Sequence, residues 1–206
     1  MRENFLTFGS PEICEEEIAE VVDTLRSGWI GTGPKVGAFE EAFKQYVGAE
    51  HAIAVSSCTA ALHLSMIVSG VGPGDEVITT PMTFCATANA IVHTGAKPVF
   101  VDIDPQTMNI DPDQIEAAIT PATKAIIPVH FAGRPCNMQA IGAIAERHGL
   151  MVIEDAAHAI ESRTPEAKVG NISDLTCFSF YVTKNVVTAE GGMITTNNKK
   201  LYEKSS

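Results

Sequence analysis

Residues 52–71 read AIAVSSCTAALHLSMIVSGV, and His63 is the only side chain among them that can carry a charge. The run is long enough to suggest a membrane span. Ser, Thr and His interrupt it, however, and its hydrophobic period changes near Ser56. A short β-prone run followed by a helical repeat describes a buried strand that leads into a buried helix.

The same alternation recurs along the chain. Further β-rich runs are EVITT (76–80), PVFVD (98–102), KAIIPV (124–129), LMVIE (150–154), TCFSF (176–180) and GMITT (192–196). With AIAVS (52–56) they make seven candidate strands, most of them apolar throughout, as strands covered on both faces should be. Helical patterns separate most of them. Residues 11–27 have Ser10 as N-cap, Pro11 at the first helical position, and Ile18, Val22 and Leu25 on one face. Residues 112–119 open with Asp111 and Pro112 and carry Gln114 at the capping-box position. Residues 137–148 begin at Asn137 and stop at Gly149. Strand–helix alternation over this length predicts an α/β domain with a largely parallel sheet. Residues 163–173 are polar and read as a loop, and NNKKLYEKSS (197–206) reads as a helix start without a stop signal. The chain is therefore expected to be a fragment of a longer protein.

The 206 residues carry a formal net charge of −11, which disfavours nucleic acid and anionic membrane surfaces as partners. It leaves room for a small phosphorylated ligand, which responds to the local field. The five cysteines, Cys14, Cys58, Cys85, Cys136 and Cys177, are irregularly spaced and include no Cys-x-x-Cys pair. Reduced thiols in a cytoplasmic protein, with no bound metal, are the simpler expectation. The opening MRENFLTFGSPEI lacks the basic start and apolar core of a signal peptide.

In open α/β sheets, ligands bind beyond the carboxyl ends of the strands. Four such places are informative. Ser56-Ser57-Cys58-Thr59-Ala60-Ala61 offers small residues, a hydroxyl and a helix start, the chemistry of a phosphate cradle. Asp155 ends an apolar strand, where a carboxylate can hold a pyridinium proton, and His158 follows three residues later. Ser179 closes another apolar strand, and Lys184 follows in an apolar and hydroxylic stretch where a lysine can act as an amine nucleophile. Phe84, after Pro81, could lie over a flat ring. Each has an ordinary alternative: a helix cap at Thr59, a cap or metal-ligand acid at Asp155, a surface lysine at Lys184, a core ring at Phe84. Their combination suits pyridoxal 5'-phosphate (PLP), which needs all four.

These residues, in this order, resemble the DegT–StrS group of fold-type-I PLP enzymes, the nucleotide-sugar aminotransferases. The resemblance rests on SGWIGTGP (27–34), SSCTAALHL (56–64), GPGDEVITTPMTF (72–84), GAKPVFVDIDPQTMNID (95–111), IEDAAHA (153–159) and FSFYVTKNVVTAEGGM (178–193). It implies a three-layer aminotransferase-type large domain with a mostly parallel seven-stranded sheet over residues 1–206. A helical arm would occupy about residues 1–47, and the C-terminal small domain would be absent. Lys184 would be the Schiff-base lysine that moves the proton, and Asp155 the partner of the ring nitrogen. His158 would sit near the ring oxygen, Phe84 on the ring face, and Thr59, the Ala60 backbone and Ser179 on the phosphate. Trp29 and Gly31 would belong to a loop near the sugar. Cys58 departs from the family, which has Gly there, although the backbone N–H remains available. The activity implied is transfer of an amino group, from glutamate as the usual donor, to a keto sugar on a nucleotide diphosphate, in a homodimer. Relatives with His in place of the lysine are dehydratases, so Lys184 argues for transfer.

A PLP- or sugar-nucleotide-binding module without turnover is the alternative. A Rossmann dehydrogenase fits poorly, because GTGPKVG (31–37) follows no strand pattern.

Overall fold

A computed structural model describes residues 9–205. Most of MRENFLTFGSPEI, on which the signal-peptide reading rests, lies outside the described residues. The chain forms α1 (Glu15–Ser27), α2 (Pro34–Val47), β1 (His51–Val55), α3 (Cys58–Val68), β2 (Glu76–Thr79), α4 (Ala86–His93) and β3 (Lys97–Phe100). It continues through α5 (Pro112–Ala118), β4 (Thr123–Ile126), α6 (Met138–His148), β5 (Met151–Asp155), β6 (Leu175–Ser179), β7 (Gly192–Thr196) and α7 (Lys199–Ser205). All seven expected strands are present. Residues 52–71 do divide into a strand and a helix, and no helix among the described residues is long and apolar enough to cross a membrane.

The helix expected over residues 11–27 begins later, at Glu15. Three acidic residues, Glu15, Glu16 and Glu17, fill the first turn, where the positive end of the helix dipole favours them. The Glu17 carboxylate turns back to accept the Cys14 backbone N–H at 2.6 Å, which closes the end at Cys14 rather than Ser10. The face bearing Ile18 and Leu25 remains exposed. The other three caps are as expected: Asp111 accepts from Asp113 N–H, Asn137 accepts from Ala140 N–H, and Gly149 ends α6 in the left-handed region.

The strands form one sheet in the order β1-β7-β6-β5-β4-β2-β3. Strands β2, β3, β4, β5 and β6 are parallel, and β7 is antiparallel to both of its neighbours, β1 and β6. Strand β1 therefore runs with the other five, and six carboxyl ends share one edge with the start of β7.

Successive residues of a strand point to opposite faces, and the core divides accordingly. Val77, Ile153, Cys177 and Ile194 pack with Leu62 and Met66 of α3, Ile91 of α4 and Leu201 of α7. Their neighbours Ile78 and Val152 pack with Ile115 of α5 and Ile141 of α6. Phe178 and Met193 join Phe43 and Val47 of α2 on that second face. The result is a three-layer α/β/α unit. The alternation also sends Asp155 to the α3 face and its neighbour Glu154 to the opposite one.

Candidate active site

At the shared carboxyl edge, the chain encloses a cavity of about 410 Å³. The turns after β1, β2, β5 and β6 all contribute to its wall. Cys58, Thr59, Phe84, Asp155, His158, Ser179 and Lys184 line it together, although they come from stretches far apart in sequence.

One wall is the start of α3. The Ser57 hydroxyl caps the helix by accepting the Ala60 N–H at 3.1 Å. That bond occupies the Ala60 amide expected to face a phosphate, and Ala60 does not line the cavity. Among the described residues, the amides of Cys58 and Thr59 make no hydrogen bond within the chain. They remain as donors at the positive end of the helix. Strand β7 passes directly behind them. A Cβ on Gly192 would lie 2.4 Å from the Ser57 carbonyl carbon and 2.7 Å from the Cys58 nitrogen, so this close approach admits only glycine.

The floor is Asp155, 5% exposed. Its backbone is pinned by Asp155 N–H to Pro128 O and by His130 N–H to Asp155 O. Its carboxylate accepts from Thr87 Oγ1 at 2.7 Å and from Ala157 N–H at 3.2 Å. The Cys58 thiol lies 4.0 Å from Oδ1, at the outer limit for a sulfur donor. Burial pushes the Cys58 thiol well above its ordinary pKa, and Asp155 and Cys177 add to this against the opposing charge of Lys184. The thiol therefore keeps its single proton, which it can give to the Cys177 carbonyl at 3.6 Å or to Asp155 at 4.0 Å.

Lys184 lies in an excursion between β6 and β7. Phe180 N–H donates to Gly191 O and Thr188 N–H to Phe180 O, closing the base of the loop. Within it, Lys184 N–H donates to Tyr181 O at 2.9 Å. Lys184 is half-buried. His158 lines the cavity, exposed overall yet partly desolvated by its surroundings. That burial lowers its pKa, the Lys184 charge lowers it further, and Asp155 opposes both.

Phe84 precedes α4 and is 76% exposed at the cavity wall. A core ring would be buried, so the packing alternative for Phe84 fails. Trp29 and Gly31 stand outside the cavity wall. Trp29 is exposed and donates its indole N–H to Thr32 O at 2.9 Å. Thr87, Tyr181 and Glu190 were not singled out from the sequence. Nothing in the sequence marks Thr87, which lies on α4 while Thr83 stands in the turn before it.

The donor set fits PLP. A buried carboxylate acceptor faces the cavity, free amides and a hydroxyl lie at one end, and an amine and an exposed aromatic face complete the wall.

A family model described as the DegT/DnrJ/EryC1/StrS aminotransferase family matches residues 11–206. The chain is 57% identical over 203 residues to the spore coat polysaccharide biosynthesis protein SpsC of Bacillus subtilis (strain 168), covering 98% of this chain and 52% of SpsC. Spr1654 from Streptococcus pneumoniae in its PLP form, described as a sugar aminotransferase, superposes with a TM-score of 0.93 at 40% identity, covering 97% of this chain and 56% of that one. DesI, solved in the presence of its TDP-sugar product, gives a TM-score of 0.93 at 38% identity, covering 100% of this chain and 52% of that one. The chain thus spans about half the length of the curated relatives it matches, such as SpsC at 52%.

Proposed function

Because the chain belongs to the DegT/DnrJ/EryC1/StrS aminotransferase family, we propose that it forms the cofactor-binding half of a PLP-dependent sugar aminotransferase. One observation carries this reading: the buried Asp155 carboxylate and the Lys184 amine line a single cavity with the unbonded amides at the start of α3. Bound PLP supplies an electron sink for charge at the amine-bearing carbon and a carbon that carries the amine between two substrates.

The residues then divide the work. Lys184 Nζ would hold the cofactor and would move the proton at the reacting carbon. An Asp155 oxygen accepts the ring N–H and keeps the ring nitrogen protonated. The Cys58 and Thr59 amides and the Ser179 hydroxyl bind the phosphate, and Phe84 covers a ring face and excludes water from it. His158, kept neutral by its surroundings, offers a ring nitrogen to the cofactor's polar edge. The acceptor proposed is a keto sugar on a nucleotide diphosphate, in line with the TDP-sugar product of DesI. Glutamate is the proposed donor.

The test is reduction with borohydride after PLP is added, followed by peptide mapping. An adduct on Lys184, lost in Lys184→Ala with the fold retained, is the expected result. A borohydride-stable adduct that persists in Lys184→Ala sinks the assignment.

A further inference from the structure

Thr87 lies on α4, fully buried, with Ala90 and Ile91 on the same helix equally buried. A hydroxyl in such surroundings costs free energy unless it finds a partner. Its partner is 68 positions away in sequence: Thr87 Oγ1 sits 2.7 Å from Asp155 Oδ2. Thr83 Oγ1 lies 2.7 Å from Thr87 Oγ1 on the other side. A hydroxyl has one proton, and an ionised carboxylate has none to give. The Thr87 proton therefore points to Asp155, and Thr87 accepts from Thr83. The chain of donors has one direction, Thr83 to Thr87 to Asp155.

An ionised carboxylate offers about four lone-pair positions. Thr87 takes one on Oδ2, Ala157 N–H takes one on Oδ1, and the Cys58 thiol approaches another. At least one acceptor position remains on this carboxylate, which lines the cavity. That is the requirement for a single ring N–H.

We propose that Thr87 is a positioning residue whose hydroxyl orients Asp155 and holds it as an acceptor toward the cofactor's ring nitrogen, with Thr83 as the outer donor. The proposal rests on the PLP reading above. Removing the Thr87 hydroxyl withdraws a hydrogen bond from the carboxylate, so the proton shared with the ring moves toward Asp155.

The experiment loads the protein with PLP labelled with 15N at the ring nitrogen and reads that nitrogen's chemical shift. In Thr87→Val, which keeps the side-chain shape, the signal is expected to move toward the unprotonated position. The cofactor dissociation constant is expected to rise roughly tenfold, the scale of a lost hydrogen bond to a charged group. Thr87→Ser restores both, which a purely packing role would not do, and Thr83→Val gives a smaller displacement in the same direction. An unmoved 15N signal in a folded Thr87→Val overturns the proposal. Should Thr87→Val fail to fold, an unmoved signal in Thr83→Val overturns it equally. If the unsubstituted protein forms no borohydride adduct on Lys184, the function reading fails and this proposal with it. An adduct with an unmoved nitrogen signal removes the role of Thr87 alone.

Discussion

His130 Nε2 lies 2.7 Å from Glu154 Oε2, with both side chains fully buried. His130 Nδ1 accepts the Cys136 backbone N–H at 3.1 Å, so the ring proton on Nε2 is the one that meets the carboxylate. The other Glu154 oxygen accepts from Ser173 at 2.6 Å and Thr176 at 2.8 Å. Glu154 and Asp155 are neighbours in β5, yet each is satisfied on its own face of the sheet. The pair ties the turn after β4, which pins the Asp155 backbone, to the second face of the fold.

Glu154→Ala is expected to destabilise the protein by about 3–5 kcal/mol, because the His130, Ser173 and Thr176 donors lose their acceptor in a dry site. Urea unfolding measures this. Burial pushes the Glu154 carboxyl up, but the hydrogen bond and charge of His130, with the hydrogen bonds from Ser173 and Thr176, outweigh it and hold the pKa below the ordinary 4.5. A folded value below the unfolded one adds stability above pH 4.5 and loses it as pH falls through the folded value. The stability of Glu154→Gln should therefore fall less steeply below that pH. Equal slopes in the two proteins would contradict the assignment.

The seven strands were legible because each is a short apolar run bounded by turn residues. Their order was not, since it depends on crossovers that leave no local trace. The start of α1 was misread at Pro11 because a proline at the first turn competes with a block of three glutamates, and the glutamates prevail. That Lys184, Asp155, Thr59 and Phe84 would line one cavity was legible because the turns beyond the carboxyl ends of the strands share one edge of the sheet. Thr87 could not, since its partner is distant and its residue type ordinary. Trp29 and Gly31 were carried by resemblance alone, and the cavity does not include them.

Gly192→Ala is expected to weaken PLP binding and lower the melting temperature together. Its new Cβ would fall 2.4 Å from the Ser57 carbonyl carbon, inside any tolerable contact. The only relief is to move β7 or the start of α3, and the second displaces the Cys58 and Thr59 amides. Titration with PLP and a thermal melt check this. Unchanged affinity would show that those amides do not hold the phosphate.

Brief treatment with iodoacetamide under native conditions is expected to label Cys14 and Cys85, the two exposed cysteines, and to spare Cys58, Cys136 and Cys177. Burial protects all three. It also holds the thiols of Cys58 and Cys177 far above their ordinary pKa, which removes the reactive thiolate. Peptide mapping by mass spectrometry reads the pattern. Rapid labelling of Cys58 would mean that the cradle opens to solvent on the timescale of the reaction.

His158 offers a titration that reports on Lys184 directly. In the folded protein its pKa lies below the ordinary 6.5, first through desolvation and then through the Lys184 charge, with Asp155 opposing. The folded ring therefore resists protonation, and stability that is complete above pH 6.5 is lost as pH falls through the lower folded value. In the protein without cofactor, Lys184→Ala removes a positive neighbour and should raise the His158 midpoint, though burial still holds it down. Asp155→Asn removes the opposing carboxylate and should lower it. Proton NMR of the imidazole C–H signals separates the two variants by the sign of their shifts. If both moved the midpoint the same way, His158 would not lie between the two charges, and its role beside the ring would fall. If they move it apart, the imidazole is neutral at neutral pH because of its position, and it can meet a polar ring substituent without adding a second positive charge beside Lys184.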